Sequence, residues 1–345
     1  MPVGILAGTL LALLAGLCNG SFFLPQRYTR GWQWENMWVV FATISQVLVP
    51  WLVAWVAIPD LPRVLRESPL TLFLPGIIAG VIWGMGMVTY GLGVKMVGIA
   101  AGNAIVASVA TAAGTLGPMI AYAPEKIWTR AGLVSFLAIA LMIGGIYVYG
   151  MAGVRREREA ATAHPGAGSP HGEFRAGMIA CLVTGVLGTA FIYGFVSSTN
   201  LIHAALNTGA KPLMAGYLAW SVVFSAGSIP NLGYSLYRMK RNRTSSVLFQ
   251  SGHFLTNTAL CLLAALLWYG GVLMYGMATA GLGRLGPSLG YGLYVGGTVL
   301  FSNLVGWIAG EWRGASPSVI GGYVKGLGII IAGIVVMAVG AALTG

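Results

Sequence analysis

Ten runs of about twenty mostly apolar residues follow one another along the chain, and a helix of that length crosses about 30 Å of hydrocarbon. They lie at approximately 3–24, 36–57, 70–93, 98–122, 131–152, 176–199, 213–235, 248–277, 286–309 and 318–342, each closed by charges, Pro or Gly. The pattern predicts ten transmembrane helices. The first run starts without a basic leader and no small-residue cleavage site follows it, so it reads as a retained helix rather than a signal peptide. The longest polar break, VRREREAATAHPGAGSPHGEFR at Val154 to Arg175, has the Pro, Gly, Ala and Ser content of a flexible linker. It separates residues 1–153 from residues 176–345, five runs on each side.

The two halves share a pattern. Trp83 is followed seven residues later by Tyr90-Gly91, and Trp268 seven residues later by Tyr275-Gly276, an offset of 185 between the copies. Gly98 and Gly283 keep that offset, and Glu125 and Glu311 keep it within one residue. Because five helices per copy is an odd number, the second copy inserts upside down, which predicts two inverted five-helix repeats about an axis in the membrane plane.

Composition agrees with lipid as the solvent. The chain of 345 residues is 57% hydrophobic and 8% charged, too apolar for a soluble core. Its 52 glycines have no collagen period and suit close helix packing, as in Gly80-x-x-x-Gly84 and Gly322-x-x-x-Gly326. The net charge of +11 does not point to nucleic acid, because the basic residues sit in short clusters between apolar runs. Those clusters instead orient the chain. The odd-numbered connections hold Arg27, Arg30, Lys95, Arg155, Arg156, Arg158, Arg175, Arg238, Lys240, Arg241, Arg243 and Arg313, with Lys325 close by; the even-numbered ones hold Arg63, Arg66, Lys126, Arg130, Lys211 and Arg284. The excess predicts cytoplasmic odd connections and both termini outside. Cys18, Cys181 and Cys261 lie inside apolar runs without a CxxC pair and read as packing residues.

Nothing in the sequence points to an enzyme. His164, His171, His203 and His253 have no metal-site spacing, and neither a Walker sequence nor a nucleophile elbow is present. Without a P-loop, a gradient is the driving force for any active transport, with no cofactor. Glu35 is the acid singled out for proton coupling, since it opens the second run inside Trp32-Gln33-Trp34-Glu35-Asn36-Met37-Trp38. It could equally complement the helix dipole. Glu311 beside Trp312-Arg313 has a similar ambiguity, with an interfacial salt bridge as its structural role.

A neutral polyhydroxylated solute calls for aromatic faces, amides and hydroxyls. Trp83 and Tyr90 share a helix face, as do Trp268 and Tyr275; Tyr269 adjoins the second pair, and Tyr291 and Tyr294 are three apart. Asn19, Asn103, Asn257 and Asn303 lie within apolar runs and should face the bundle, as ligands or as interhelical glue. The candidate substrate residues are therefore Trp83, Tyr90, Asn103, Trp268, Tyr269, Tyr275, Asn19, Asn257 and Tyr294, lining a shared midplane cavity. Pro50, Pro75, Pro118 and Pro230 would supply hinges or static kinks.

Several stretches resemble the bacterial L-rhamnose–proton symporters of the drug/metabolite transporter superfamily: Trp34-Glu35-Asn36-Met37-Trp38, Trp83-Gly84 to Tyr90-Gly91-Leu92, Gly114-Thr115-Leu116 with Pro118, Asn231-Leu232-Gly233, Leu267-Trp268-Tyr269 and Glu311-Trp312. The resemblance extends in order over nearly the whole chain. It implies a multi-pass protein of the bacterial inner membrane that takes up a deoxyhexose with protons. An exporter or importer of another small metabolite, such as an amino acid or a drug-like solute, and a passive facilitator are the alternatives on the same fold. The expected partners are a sugar, protons and lipid, and the Gly-rich tenth helix leaves a homodimer open.

Overall fold

The computed structural model describes residues 5–122, 128–163, 171–281 and 291–342. The chain enters as α1 (Ile5–Ser21), extended by a single turn, α2 (Phe23–Gln26). α3 (Trp34–Ala42) and α4 (Val49–Ala57) form one rod through a π-helical stretch at Thr43–Leu48. The short α5 (Leu61–Glu67) and a 3-10 turn lead into α6 (Leu74–Val97), α7 (Ile99–Tyr122) and α8 (Arg130–Ala163). After α9 (His171–Gly188) come α10 (Ala190–Ser197), α11 (Thr199–Asn207), α12 (Pro212–Asn242) and the single turn α13 (Val247–Gln250). The chain closes with α14 (Phe254–Gly281), α15 (Tyr291–Ile308) and α16 (Pro317–Ala342).

Among the described residues no strand occurs, and seven helical segments are long and apolar enough to cross a membrane: Leu6–Gln26, Trp34–Ala57, Leu74–Val97, Gly132–Arg156, Glu173–Phe195, Phe254–Ala278 and Pro317–Val336. Ile99–Ala113 and Leu293–Ile308 are shorter apolar helices. Large apolar side chains stand fully outward, such as Val56 and Leu255, each 81% exposed. Water would not tolerate such a surface, whereas hydrocarbon does. The protein is therefore a multi-pass membrane protein.

The polar break is less of a linker than its composition suggests. α8 continues to Ala163 and α9 starts at His171, leaving only residues 164–170 outside the description. The Arg155 to Ala163 stretch is rich in Arg, Glu and Ala, whose helix propensity outweighs polarity once a long apolar helix has nucleated the turn. Glu159 also ties this extension down by accepting from the Ser316 hydroxyl at 2.7 Å.

The chain packs as two compact units that do not follow the halves of the sequence. One comprises residues 1–21, 89–186 and 271–345; the other comprises 22–88 and 187–270. We call them the outer-segment unit and the inner-segment unit, after their order in the chain.

In the outer-segment unit α8 and α16 run antiparallel in close contact. A Cβ added at Gly326 would lie 2.7 Å from the Tyr149 backbone nitrogen, at Gly145 2.6 Å from Ile330 Cγ1, at Gly333 2.7 Å from Met142 Cγ, and at Gly322 2.8 Å from Ala152 Cβ. α1 meets α15 just as closely but in parallel, through Gly16 and Gly20 against the backbone of Gly297, Thr298 and Ser302. With lipid as solvent there is little hydrophobic drive between helices, so backbone proximity and dispersion hold these pairs together. At the α6–α7 joint Gly98 has φ +94°, a conformation that favours glycine, and a side chain there would meet the Glu311 carboxylate.

In the inner-segment unit the α3–α4 rod runs antiparallel to α12. Trp38 pairs with Asn231, and further along the rod the Ser221 hydroxyl donates to the Pro50 carbonyl at 2.8 Å. α6 presses on α12 through Gly80 and Gly84, where an added Cβ would fall 2.3 Å from the Val223 carbonyl oxygen and 2.2 Å from that of Gly227. Both small-residue motifs seen in the sequence thus mark real helix contacts.

Candidate functional site

In the inner-segment unit the indoles of Trp83 and Trp268 stack with ring centres 5.8 Å apart and planes at 29°. Phe224 lies 5.1 Å from the first and 5.0 Å from the second, and Trp220 and Phe195 extend the aromatic row through stacked contacts of 5.4 and 4.3 Å. Tyr269 meets Phe224 edge-on at 5.9 Å. Its hydroxyl is buried without a hydrogen-bond partner. Glycine makes the row possible, since any Cβ at Gly227 would collide with the Trp83 ring at 2.5 Å.

One turn further along α12, Asn231 is fully buried and fully used. Its Oδ1 accepts from Trp38 Nε1 at 2.9 Å, while Nδ2 donates to Gln46 Oε1 at 3.2 Å and to the carbonyls of Gly84 and Gly227 at 3.2 and 2.8 Å. This hub ties α3, the π-helical stretch and α6 to α12 beside the aromatic row.

The outer-segment unit holds a second, more polar group. Asn19 Nδ2 donates to the Tyr294 hydroxyl at 2.5 Å, and the Tyr294 ring stacks on Tyr275 at 4.8 Å. The Tyr90 hydroxyl, within electrostatic range of Tyr294, donates to Asn103 Oδ1. Asn103 is 2% exposed, yet its Nδ2 has no partner. The same unit also pairs Thr89 with Thr184 at 2.7 Å, and Tyr149 donates to Asn303 Oδ1 at 3.2 Å.

The sequence candidates therefore fall into two groups. Trp83, Trp268 and Tyr269 belong to one unit; Asn19, Tyr90, Asn103, Tyr275 and Tyr294 belong to the other. Asn257 joins neither. Its amide is buried and clamps one residue of a loop, accepting from the Arg30 backbone nitrogen at 3.0 Å and donating to the Arg30 carbonyl at 2.8 Å. These two bonds are the glue role. Tyr291 opens α15, while Gly283, Glu125 and His164 lie outside the described residues.

The two acids singled out also have defined partners. Glu35, 2% exposed, accepts from Asn242 Nδ2 at 2.7 Å and Thr244 Oγ1 at 3.1 Å, with Arg238 Nη2 at 4.0 Å. It ties the first turn of α3 to the end of α12. Glu311 lies three residues past the end of α15. Its two oxygens accept from the backbone nitrogens of Ile99 and Ala100, at 2.8 and 3.2 Å, completing the start of α7. His203 and His253 are exposed.

Gln46, Asn231, Phe224 and Trp220 were not among the candidates. Two of them had a readable signal: Gln46 and Asn231 are polar residues in apolar runs, and they are 185 positions apart, the offset of the repeat.

Lipid-facing helices around buried aromatic rows and buried, partly unpaired amides and hydroxyls define a multi-pass membrane transport protein. The comparison with known proteins makes the assignment narrower. The family model for the L-rhamnose-proton symport protein (RhaT) matches residues 1–344, and the chain belongs to that family. It is 24% identical over 337 residues to the L-rhamnose-proton symporter of Enterobacter sp. (strain 638), with 96% of each chain covered. It is likewise 24% identical to those of Cronobacter sakazakii and Klebsiella pneumoniae (strain 342), covering 91% of this chain and 92% of each relative. These relatives are named as transporters and not as enzymes.

Proposed function

We propose that this protein is a secondary active carrier of the bacterial inner membrane that takes up a neutral deoxyhexose such as L-rhamnose together with protons. The architecture in this reading is that of the drug/metabolite transporters: ten spans in two inverted five-helix halves, working by alternating access.

One observation carries the inverted repeat. In an assembly with a two-fold axis, equivalent residues touch each other only at the axis. Three pairs separated by the repeat offset of 185 touch here, which supports that reading: Trp83 stacks on Trp268 and Gln46 bonds to Asn231 in one unit, and Gly145 packs on Ile330 in the other. Equivalent contacts also recur in swapped form, since Cys261 Sγ meets the Met37 carbonyl as Gly76 meets Val222. The antiparallel course of α8 with α16, and of α3–α4 with α12, is what inversion requires of equivalent helices.

The sugar reading rests on the family and on the groups described above. Indole and phenol faces suit the C–H surface of a pyranose, and each unit separately holds an unpaired polar atom of the kind that suits a sugar hydroxyl, Tyr269 Oη in the inner-segment unit and Asn103 Nδ2 in the outer-segment unit. Buried polar atoms of folded proteins are rarely left unpaired, so such atoms are natural ligands. Glu35 is the acid proposed for the proton step, because protonation would weaken its hold on Asn242, Thr244 and Arg238 and loosen α3 from α12. Basic residues in the odd-numbered connections support cytoplasmic placement of those connections and external termini.

Counterflow tests the carrier. Proteoliposomes preloaded with unlabelled L-rhamnose should transiently accumulate labelled sugar with saturable kinetics; uptake that neither saturates nor shows counterflow belongs to a pore, and no uptake rejects the substrate. Glu35→Gln should retain counterflow while losing accumulation driven by a pH gradient. Gradient-driven accumulation by that variant would return Glu35 to a purely structural role.

A further inference from the structure

The π-helical stretch Thr43–Leu48 has a local cause. In an α-helix the Pro50 nitrogen would donate to the carbonyl of Gln46, but proline has no N–H, so that carbonyl loses its partner and the turn widens. The Ser225 hydroxyl, itself accepting from Trp51 Nε1 at 2.7 Å, approaches the freed Gln46 carbonyl at 3.5 Å. π-helical turns inside α-helices concentrate at functional sites, because the extra residue re-aims one side chain. Here that side chain is Gln46.

Gln46 is fully buried, and its amide is held in one orientation. Asn231 Nδ2 reaches three acceptors while its Oδ1 is taken by Trp38, so Asn231 cannot flip without breaking that set. Gln46 must therefore offer it Oε1, which turns Nε2 away from Asn231. That Nε2 has no partner in the protein, and neither does the hydroxyl of the adjacent, fully buried Ser45. An apolar residue would fill the position at no polar cost, so a costly orphan donor calls for a ligand. The amide pair adjoins the aromatic row, since Gly84, one acceptor of Asn231, follows Trp83 in the chain, and Gly227, the other, carries the Trp83 ring.

We propose that Gln46 Nε2 donates to a hydroxyl oxygen of the transported solute, making the π-helical stretch a specificity-determining element. This rests on the sugar-carrier reading above. A hydroxyl oxygen could also be that of a fixed water, and the experiment separates the two sources.

The test uses the full-length protein in proteoliposomes, with L-rhamnose and its monodeoxy analogues as substrates. Gln46→Met keeps the length of the side chain and removes the donor. It should raise KM for L-rhamnose by about tenfold to a hundredfold while maximal rate stays within about twofold. For one monodeoxy analogue, the one lacking the partner hydroxyl, KM should be the same in wild type and variant. A KM that rises equally for every analogue, or does not change, would assign the amide to a fixed water and overturn the proposal. Gln46→Asn, which retains the amide but withdraws it, should show the same analogue-selective pattern; failure of both variants to fold would make Gln46 a structural residue and overturn it as well. Wild-type protein that transports no sugar of the set removes the carrier reading itself, a result distinct from any of these.

Discussion

Each unit contains an antiparallel helix pair, and the two pairs are built by different chemistry. α8 and α16 meet mainly through glycine, alanine and apolar side chains, with Tyr149 on Tyr323 at 4.8 Å and with Gly145, Gly322, Gly326 and Gly333 admitting the opposing helix to close contact. The α3–α4 rod meets α12 through Trp38, Gln46, Trp51, Ser221, Ser225 and Asn231, and contains a π-helical stretch. The first pair is closely packed and intolerant of added volume. The second is polar, locally irregular and contains an unpaired donor. Irregular backbone and buried amides are costly in hydrocarbon, so under the proposed function the first is a scaffold pair and the second a working pair.

The comparison breaks most sharply at a scaffold glycine. Gly326→Leu should leave no folded protein by size-exclusion chromatography, because its Cβ would enter 2.7 Å from the Tyr149 backbone, whereas Gly233→Ala on α12, with open space around it, should fold and transport normally. If Gly326→Leu folds and transports like wild type, the close pairing of α8 with α16 is wrong. In the working pair Asn231→Leu should cost about 3 kcal/mol, since it leaves Trp38 Nε1 and Gln46 Oε1 buried without partners. Thermal melting in detergent measures it, and an unchanged melting temperature would remove Asn231 as the hub. Asn257→Ala should cost about 2 kcal/mol by the same assay while leaving KM for sugar unchanged, because that amide serves the Arg30 loop. A raised KM with unaltered stability would restore Asn257 to the site. Ser221→Ala, which gives up one hydrogen bond to Pro50, should cost about 1 kcal/mol.

The sequence made some of this legible and hid the rest for physical reasons. Apolar run length located helices of which seven, among the described residues, are long and apolar enough to span a membrane, and the spacing of small residues marked two contacts, because close approach in lipid has few solutions besides glycine. The Arg- and Glu-rich end of α8 read as linker, since composition reports solvation but not a helix already under way. Trp83 and Tyr90 share a face of α6 but fall in different units. Seven residues are two turns, about 10 Å along the axis, so the two rings meet different neighbours. Burial of Asn257 followed from polarity within an apolar run, whereas its partner, the Arg30 backbone, depends on where a loop from the other end of the chain returns. The π-helical stretch escaped notice because Pro50 signals a broken hydrogen bond without saying how the turn relaxes.

The account stands or falls on coupled sugar movement. In proteoliposomes with an acid-outside pH gradient, labelled L-rhamnose should accumulate above its external concentration, and a protonophore should bring it back to equilibrium. Uptake that never exceeds the external concentration, or accumulation that the protonophore leaves untouched, would contradict it.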